Sequence, residues 1–269
     1  MTKPSIERGY VVSEHGNVAN RPDLYDLLFG ERVDETEMYL RFMDPDRVAL
    51  EYGVGSGRLA IPLARRGRSI VGIDSSEVML ARLNERLDRE NSSIRERIVI
   101  KHGDARLLSL GSTFQLVYAP FMMFNYLMTL QDQVDFLRMA RLHLADDGLL
   151  VLEAMTAATL PELFLNDGLS RKVLHVNNDV NERTFEMSRV VRYDFSTQLV
   201  EQDRHFRFYS DGRLIEEECV TWRNRFCSLS ELRILLQVSG LEVLNEYGSH
   251  SLAPFDSSSK YLIVQCRAV

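Results

Sequence analysis

The stretch Leu50-Glu51-Tyr52-Gly53-Val54-Gly55-Ser56-Gly57-Arg58-Leu59 constrains this 269-residue chain more than any other. It follows the apolar run Val48-Ala49-Leu50 and opens a segment of helical spacing over 58–66. A strand that turns through glycines into a helix belongs to a parallel α/β sheet. The glycines let a ligand approach bare main chain. The free N–H groups of the helix that follows favour an anion by about 0.3–1 kcal/mol. A dinucleotide-binding loop reads G-x-G-x-x-G. Counted from Gly53, its third glycine would fall on Arg58, so the loop here is Glu-x-Gly-x-Gly-x-Gly instead.

The chain around this loop alternates strand and helix. Further strands are expected over 69–74, 97–100, 114–119 and 148–154, with helices over 76–89 and 132–144. Asp146-Asp147 ahead of Gly148 reads as the turn before the fifth strand. Upstream, 23–29 and 35–43 have helical spacing and stop at Gly30 and at Asp44-Pro45. Over 170–226 the period changes. β-rich stretches are punctuated by Asn177-Asn178-Asp179, Ser196-Thr197 and Ser210-Asp211-Gly212, the pattern of an antiparallel meander. A helix over 230–238 follows, with Ser228 as N-cap and Gly240 as C-cap, then strands over 241–247 and 261–266. The expected organisation is an N-terminal helical lid segment, 1–46, and an α/β core, 47–169 with 227–269. An antiparallel β insertion, 170–226, interrupts the core.

Charge and cysteine content narrow the partners. The formal net charge of −7 disfavours a phosphate backbone, so no nucleic-acid partner is expected. No apolar run has the length of a membrane span and the N-terminus lacks a signal-peptide pattern. Cys219, Cys227 and Cys266 have neither metal-ligand nor disulfide-framework spacing. They read as reduced thiols of a cytoplasmic protein. No cluster of Asp, Asn and Glu suggests a divalent metal site.

The loop from Glu51 to Gly57 resembles motif I of class I methyltransferases. The resemblance extends to Asp74 at the end of the second strand and to Gly103-Asp104-Ala105 after the third. It implies the doubly wound, mostly parallel seven-stranded methyltransferase sheet and S-adenosylmethionine as cofactor, with S-adenosylhomocysteine as product. The residues expected to hold the cofactor are Glu51, Gly53, Gly55, Gly57, Asp74, Ser75, Asp104, Ala105 and Phe121. Asp74 is expected to accept from the ribose hydroxyls and Asp104 from the adenine amino group. Such bonds to a charged acceptor are worth about 1.5–3 kcal/mol each.

The acceptor side is read from the end of the fourth strand, Ala119-Pro120-Phe121-Met122-Met123-Phe124-Asn125-Tyr126. It lacks the (Asp/Asn)-Pro-Pro-(Tyr/Phe) signature of enzymes that methylate base amines. Tyr25-Asp26-Leu27-Leu28-Phe29-Gly30 and the late insertion are similar to small-molecule N-methyltransferases of natural-product pathways, particularly those acting on nucleotide-linked amino sugars. Where those carry a histidine after the fourth strand, Tyr126 aligns. Tyr126 and Tyr25 are therefore the candidate catalytic residues. Tyr10, Asn125 and Arg207 are candidates for acceptor binding, with Arg204 beside Arg207 a second partner for an acidic group such as a diphosphate. His15 and His250 are candidate proton acceptors. N-methylation of a small molecule in secondary metabolism is the leading expectation. O- or C-methylation and a non-catalytic cofactor-binding protein are the alternatives. A face of the insertion is an expected homodimer surface.

Overall fold

The computed structural model describes residues 21–30, 32, 34–155, 171–178, 183–259 and 261–269; for 171–178 and 183 it describes the backbone alone. The sheet that carries the glycine loop has seven strands: β1 (Val48–Tyr52), β2 (Ser69–Asp74), β3 (Ile98–His102), β4 (Phe114–Ala119), β5 (Leu144–Ala154) and two from the C-terminus. Those two are β10 (Leu241–Tyr247) and β11 (Leu262–Ala268), and the spatial order is β10-β11-β5-β4-β1-β2-β3. All neighbours are parallel except at β11, which runs antiparallel to both β5 and β10. The chain therefore leaves β1 in one direction for β2 and β3 and returns on its other side for β4 and β5. A crevice opens at this reversal, at the carboxyl ends of the strands.

Both faces of the sheet are covered. Leu50, Tyr52, Val117 and Leu152 point to one face, where α6 (Leu130–Leu142) and α7 (Leu229–Val238) supply Phe136, Leu137, Leu232 and Leu236. Ala49, Ile70, Leu116 and Val151 point to the other. There α2 (Thr36–Phe42), α3 (Ala60–Arg65) and α4 (Glu77–Leu87) supply Met38, Ile61, Leu63 and Leu83. Strands buried on both faces read as near-continuous apolar runs, which is why β1 and β4 are legible as strands without alternation. Two further α-helices, α1 (Pro22–Phe29) and α5 (Ser92–Arg95), complete the α-helical set among the described residues.

Local signals end the helices as their chemistry requires. Ser228 accepts from the Glu231 N–H at 3.1 Å, and Thr129 with Asp132 forms a reciprocal capping box at the start of α6. Several boundaries differ from the sequence reading. α6 starts at Leu130 and stops at Leu142, and β5 begins at Leu144, through the pair expected to form a turn. The backbone at Gly148 approaches the Phe114 carbonyl so closely that a Cβ would lie 2.7 Å from its oxygen. The strand thus pairs on past the glycine with an irregular register.

The second sheet is an antiparallel meander of four strands in the order β6 (Arg171–Asn178), β7 (Arg183–Asp194), β8 (Leu199–Ser210) and β9 (Arg213–Arg225). Asp211 and Gly212 join β8 to β9 with φ of 50° and 70°, the paired positive values of a tight hairpin. The Asn177-Asn178-Asp179 turn is placed in part: β6 runs through Asn178, and Asp179 lies outside the described residues. Phe185, Met187, Phe206, Val220 and Trp222 make one apolar face of this sheet, and Leu24 of α1 packs into it.

Candidate active site

The crevice is a cavity of about 330 Å³ whose walls come from the carboxyl ends of β1 to β4. At its floor the glycine loop leaves no room for side chains. A Cβ on Gly53 would lie 2.7 Å from Met123, and one on Gly55 would lie 3.2 Å from Met79 and 4.0 Å from the Asp74 carboxylate. Both glycines have positive φ. The Gly53 N–H donates to the Ile73 carbonyl at 2.8 Å, tying the loop to β2.

Asp74 closes the other side of the loop. Its Oδ2 accepts from Gly55 N–H at 2.8 Å and its Oδ1 from Ser76 N–H at 2.9 Å. The Ser75 N–H also donates to this carboxylate, which leaves one lone pair open to a ligand hydroxyl. Burial raises the Asp74 pKa against these donors. Glu51 is 1% exposed and accepts from the Tyr118 hydroxyl at 2.8 Å, its neighbour in register across β1 and β4. Burial pushes its carboxyl up to about 8; Tyr118 and Arg58 pull it down less strongly. Ser75, Asp104 and Ala105 line the same cavity. Arg106 holds both oxygens of Asp104 and reaches Asp132, which sets the Asp104 carboxyl below its ordinary range.

The far end of the cavity is aromatic. Phe121 and Met122 leave β4 with φ of 53° and 59°, a sharp turn that non-glycine residues adopt at a cost of about 1–3 kcal/mol. The turn presents Phe121 to the cavity, edge-on to Phe29 at 4.9 Å and to Tyr25 at 6.2 Å. The Arg58 guanidinium lies 4.5 Å from the Phe121 ring centre. It also donates to the Tyr25 hydroxyl at 3.1 Å and pairs with buried Glu35. Tyr126 ends a 3₁₀ turn, Met123–Tyr126, and lines the cavity. Burial raises both phenols, Tyr25 to about 12.

α1 is docked on the glycine loop by its acidic residue. Asp26 accepts from the Ser56 hydroxyl at 2.7 Å and from Arg82 of α4 at 2.7 Å, so Tyr25 and Asp26 point respectively at the cavity wall and at the loop.

A methyltransferase domain model matches residues 49–148. The cypemycin N-terminal methyltransferase of a Streptomyces species is 26% identical over 224 residues, covering 81% of this chain and 82% of that protein. The CcbJ methyltransferase from Streptomyces caelestis superposes with a TM-score of 0.80 at 24% identity, over 93% of this chain and 97% of that one. CalS10, an amino pentose methyltransferase from Micromonospora echinaspora involved in calicheamicin biosynthesis, was solved with S-adenosylmethionine bound. It superposes with a TM-score of 0.71 at 21% identity, over 91% and 97% of the two chains.

The chain is an S-adenosylmethionine-dependent methyltransferase.

Four residues expected at the site of this methyltransferase stand elsewhere in the fold. Gly57 does not line the cavity; it has φ 76°, and a Cβ there would fall 2.3 Å from Leu83, so its glycine serves the packing of α4 on the loop. Asn125 is fully buried as a bracket. Its amide donates to the Met155 carbonyl at 3.1 Å and the Arg225 carbonyl at 2.7 Å, and accepts from Met155 N–H at 2.6 Å. Both donors are used, leaving none for an acceptor. Arg207 is half exposed on β8 and paired with Glu217 at 2.9 Å. His250 bridges Glu153 at 3.1 Å and Asp34 at 3.3 Å outside the cavity lining. Asp34, Glu35 and His250 lie within 4.8 Å of one another, but Arg58 and Glu153 engage two of the three. Tyr10 and His15 lie outside the described residues. Among the described helices none is long and apolar enough to cross a membrane.

Arg58 and Arg106 line the cavity and were not read as site residues. Arg58 had a signal, since it stands where a dinucleotide loop has its third glycine. Arg106 had none, because Asp132 is brought to it only by α6.

Proposed function

We propose that this methyltransferase N-methylates an amino group of a small molecule in secondary metabolism. S-adenosylmethionine supplies a methyl group on a sulfonium, open to in-line attack. Asp74 would hold its ribose hydroxyls, Asp104 and Ala105 its adenine, and Glu51 with the main chain at Gly53 and Gly55 its amino-acid end. Glu51 and Asp74 favour the positive charge of that ligand. Aligning the nucleophile and excluding water are then the main tasks left to the protein.

One observation carries the choice of an amine. Among the described residues, the polar groups at the Phe121 end of the cavity are Tyr25, Tyr126, Arg58 and Arg32, and none of them is a carboxylate or an imidazole. A hydroxyl acceptor needs a base to take its proton as it attacks. An amine sheds its proton to solvent and needs only orientation. The Tyr25 oxygen accepts from Arg58 and has a second lone pair to receive an acceptor N–H. The names of two similar proteins support the same reading: one is an N-terminal methyltransferase and one an amino pentose methyltransferase.

The same reading makes 1–46 a lid hinged on the Asp26 contacts, 47–169 with 227–269 the cofactor core, and 170–226 the wall on the acceptor side. The test is a mass-spectrometric screen with S-adenosylmethionine over amines, phenols and carbon acids. A product one methylene heavier on an amine is expected; methylation confined to phenols would sink the amine reading. Tyr126→Phe should then change KM more than kcat, while a large loss of kcat with a shifted pH profile would show a proton-transfer role.

A further inference from the structure

Three arginines are buried among the described residues: Arg58, Arg204 and Arg225. Arg58 is paired with Glu35 and Arg225 with Glu231. Arg204 has no carboxylate partner among the described residues. Its Nη2 donates to the Gln202 side chain at 3.1 Å, and its Nε has no acceptor among the described residues. The charged or titratable groups that face it are Tyr126 and Arg189, the latter directly opposite on β7 and of like sign. Apolar side chains also surround it among the described residues. Val220 stands across from it on β9, Phe206 follows on its own face of β8, and the Trp222 ring centre lies 3.3 Å from the guanidinium carbon.

An uncompensated buried cation is costly to fold around, and cations so placed are normally paired. This one lies close behind the acceptor end of the cofactor cavity. Trp222 meets Phe29 at 5.8 Å, Phe29 meets Phe121 at 4.9 Å, and Tyr126 lines the cavity while facing Arg204. A guanidinium in an apolar setting matches a planar, singly charged carboxylate through its fork of N–H donors.

We propose that Arg204 is the counter-ion for a carboxylate carried by the acceptor, so that the substrate is an amine that also bears a carboxylate. The proposal rests on the reading of the acceptor as a small-molecule amine that enters beside Phe121. It assigns one end of that molecule to the second sheet and the other to the cavity.

Trp222 is the only tryptophan of the chain and reports on the guanidinium directly. The full-length protein, without cofactor, is titrated with hexanoate and phenylacetate, their neutral amides and inorganic phosphate while indole fluorescence is followed. A saturable response to the carboxylates is expected, with none to the amides and at least tenfold weaker binding of phosphate. In Arg204→Met the response should vanish, S-adenosylmethionine binding should stay within twofold, and Tm should hold or rise because an unpaired buried cation is gone. Carboxylates that give no response, or the same response in Arg204→Met, overturn the proposal. So does tighter binding of phosphate, which would mark a phosphorylated acceptor. A Tm lowered by several degrees would also overturn it, because the cation would then be compensated within the protein itself. Methyl transfer to amines is measured separately; its absence beside an intact carboxylate response would sink the amine reading and leave the carboxylate site standing.

Discussion

Glu51 is held largely protonated at neutral pH by its burial, and this has two consequences of definite sign. Its carboxyl rises from an ordinary 4.5 to about 8 in the folded chain. Between those values the folded state keeps a proton that the unfolded state has lost. Its contribution to stability is therefore full below about 4.5 and declines as pH rises through 8. Glu51→Gln imitates the protonated form and should raise Tm at pH 8–9 relative to the parent, by thermal unfolding at several pH values. A cationic ligand favours the carboxylate, so S-adenosylmethionine should bind more tightly as pH rises toward 8 and release a proton on binding. Calorimetry in two buffers of different ionisation enthalpy reads that proton directly; no difference between the buffers would refute the assignment. Asp74→Asn removes the charge that accepts from Gly55 and Ser76. Loss of a charged acceptor, about 1.5–3 kcal/mol, should weaken cofactor binding at least tenfold in the same calorimeter.

At the scale of elements, the glycine loop can be dissected by comparing two glycines of similar conformation. Gly57 and Gly67 both have positive φ, 76° and 84°. A Cβ on Gly57 would collide with Leu83 and crowd Ile61, whereas one on Gly67 meets nothing within 4 Å. Gly67→Ala should lose only the cost of a left-handed alanine, about 1–2 kcal/mol. Gly57→Ala should lose that and a further ~1–3 kcal/mol of overpacking. Equal losses in denaturant melts would show that α4 moves aside. Strand positions, capping and the last turn were legible because each rests on neighbours in sequence: apolar runs for β1 and β4, Ser228 for α7, and Asp211-Gly212 for the last hairpin. The start of β5 was not. Asp146-Asp147-Gly148 has turn composition, and only the nearness of the Phe114 carbonyl to Gly148 makes it strand.

Across the whole molecule, His250 joins the C-terminal loop to β5 and to the segment between α1 and α2. Burial lowers its pKa, but the bond and charge of Glu153, with Glu35 and Asp34, raise it net above 6.5. The stability this tie contributes is present in full below 6.5 and is lost as pH rises through the raised value. Part of the fall in Tm as pH rises above 6.5 should therefore disappear in His250→Gln; identical slopes would show that the tie carries no net charge effect. By itself the sequence determined the loop, its two acidic partners Asp74 and Asp104, and the switch from a parallel to a meandering sheet. Each of these is local: a glycine spacing, or a residue at the end of a strand. Tertiary structure decided what the distant polar residues do. Asn125 could be read as an acceptor ligand because its sequence neighbours line the site, yet Met155 and Arg225 claim its amide. Arg204 and Arg207 stand on opposite faces of one strand; Arg204 is buried against Trp222 and Tyr126, and Arg207 is left to solvent with Glu217. The physical reason is that a polar side chain's role is fixed by which partners and how much water reach it, and those arrive from elsewhere in the chain.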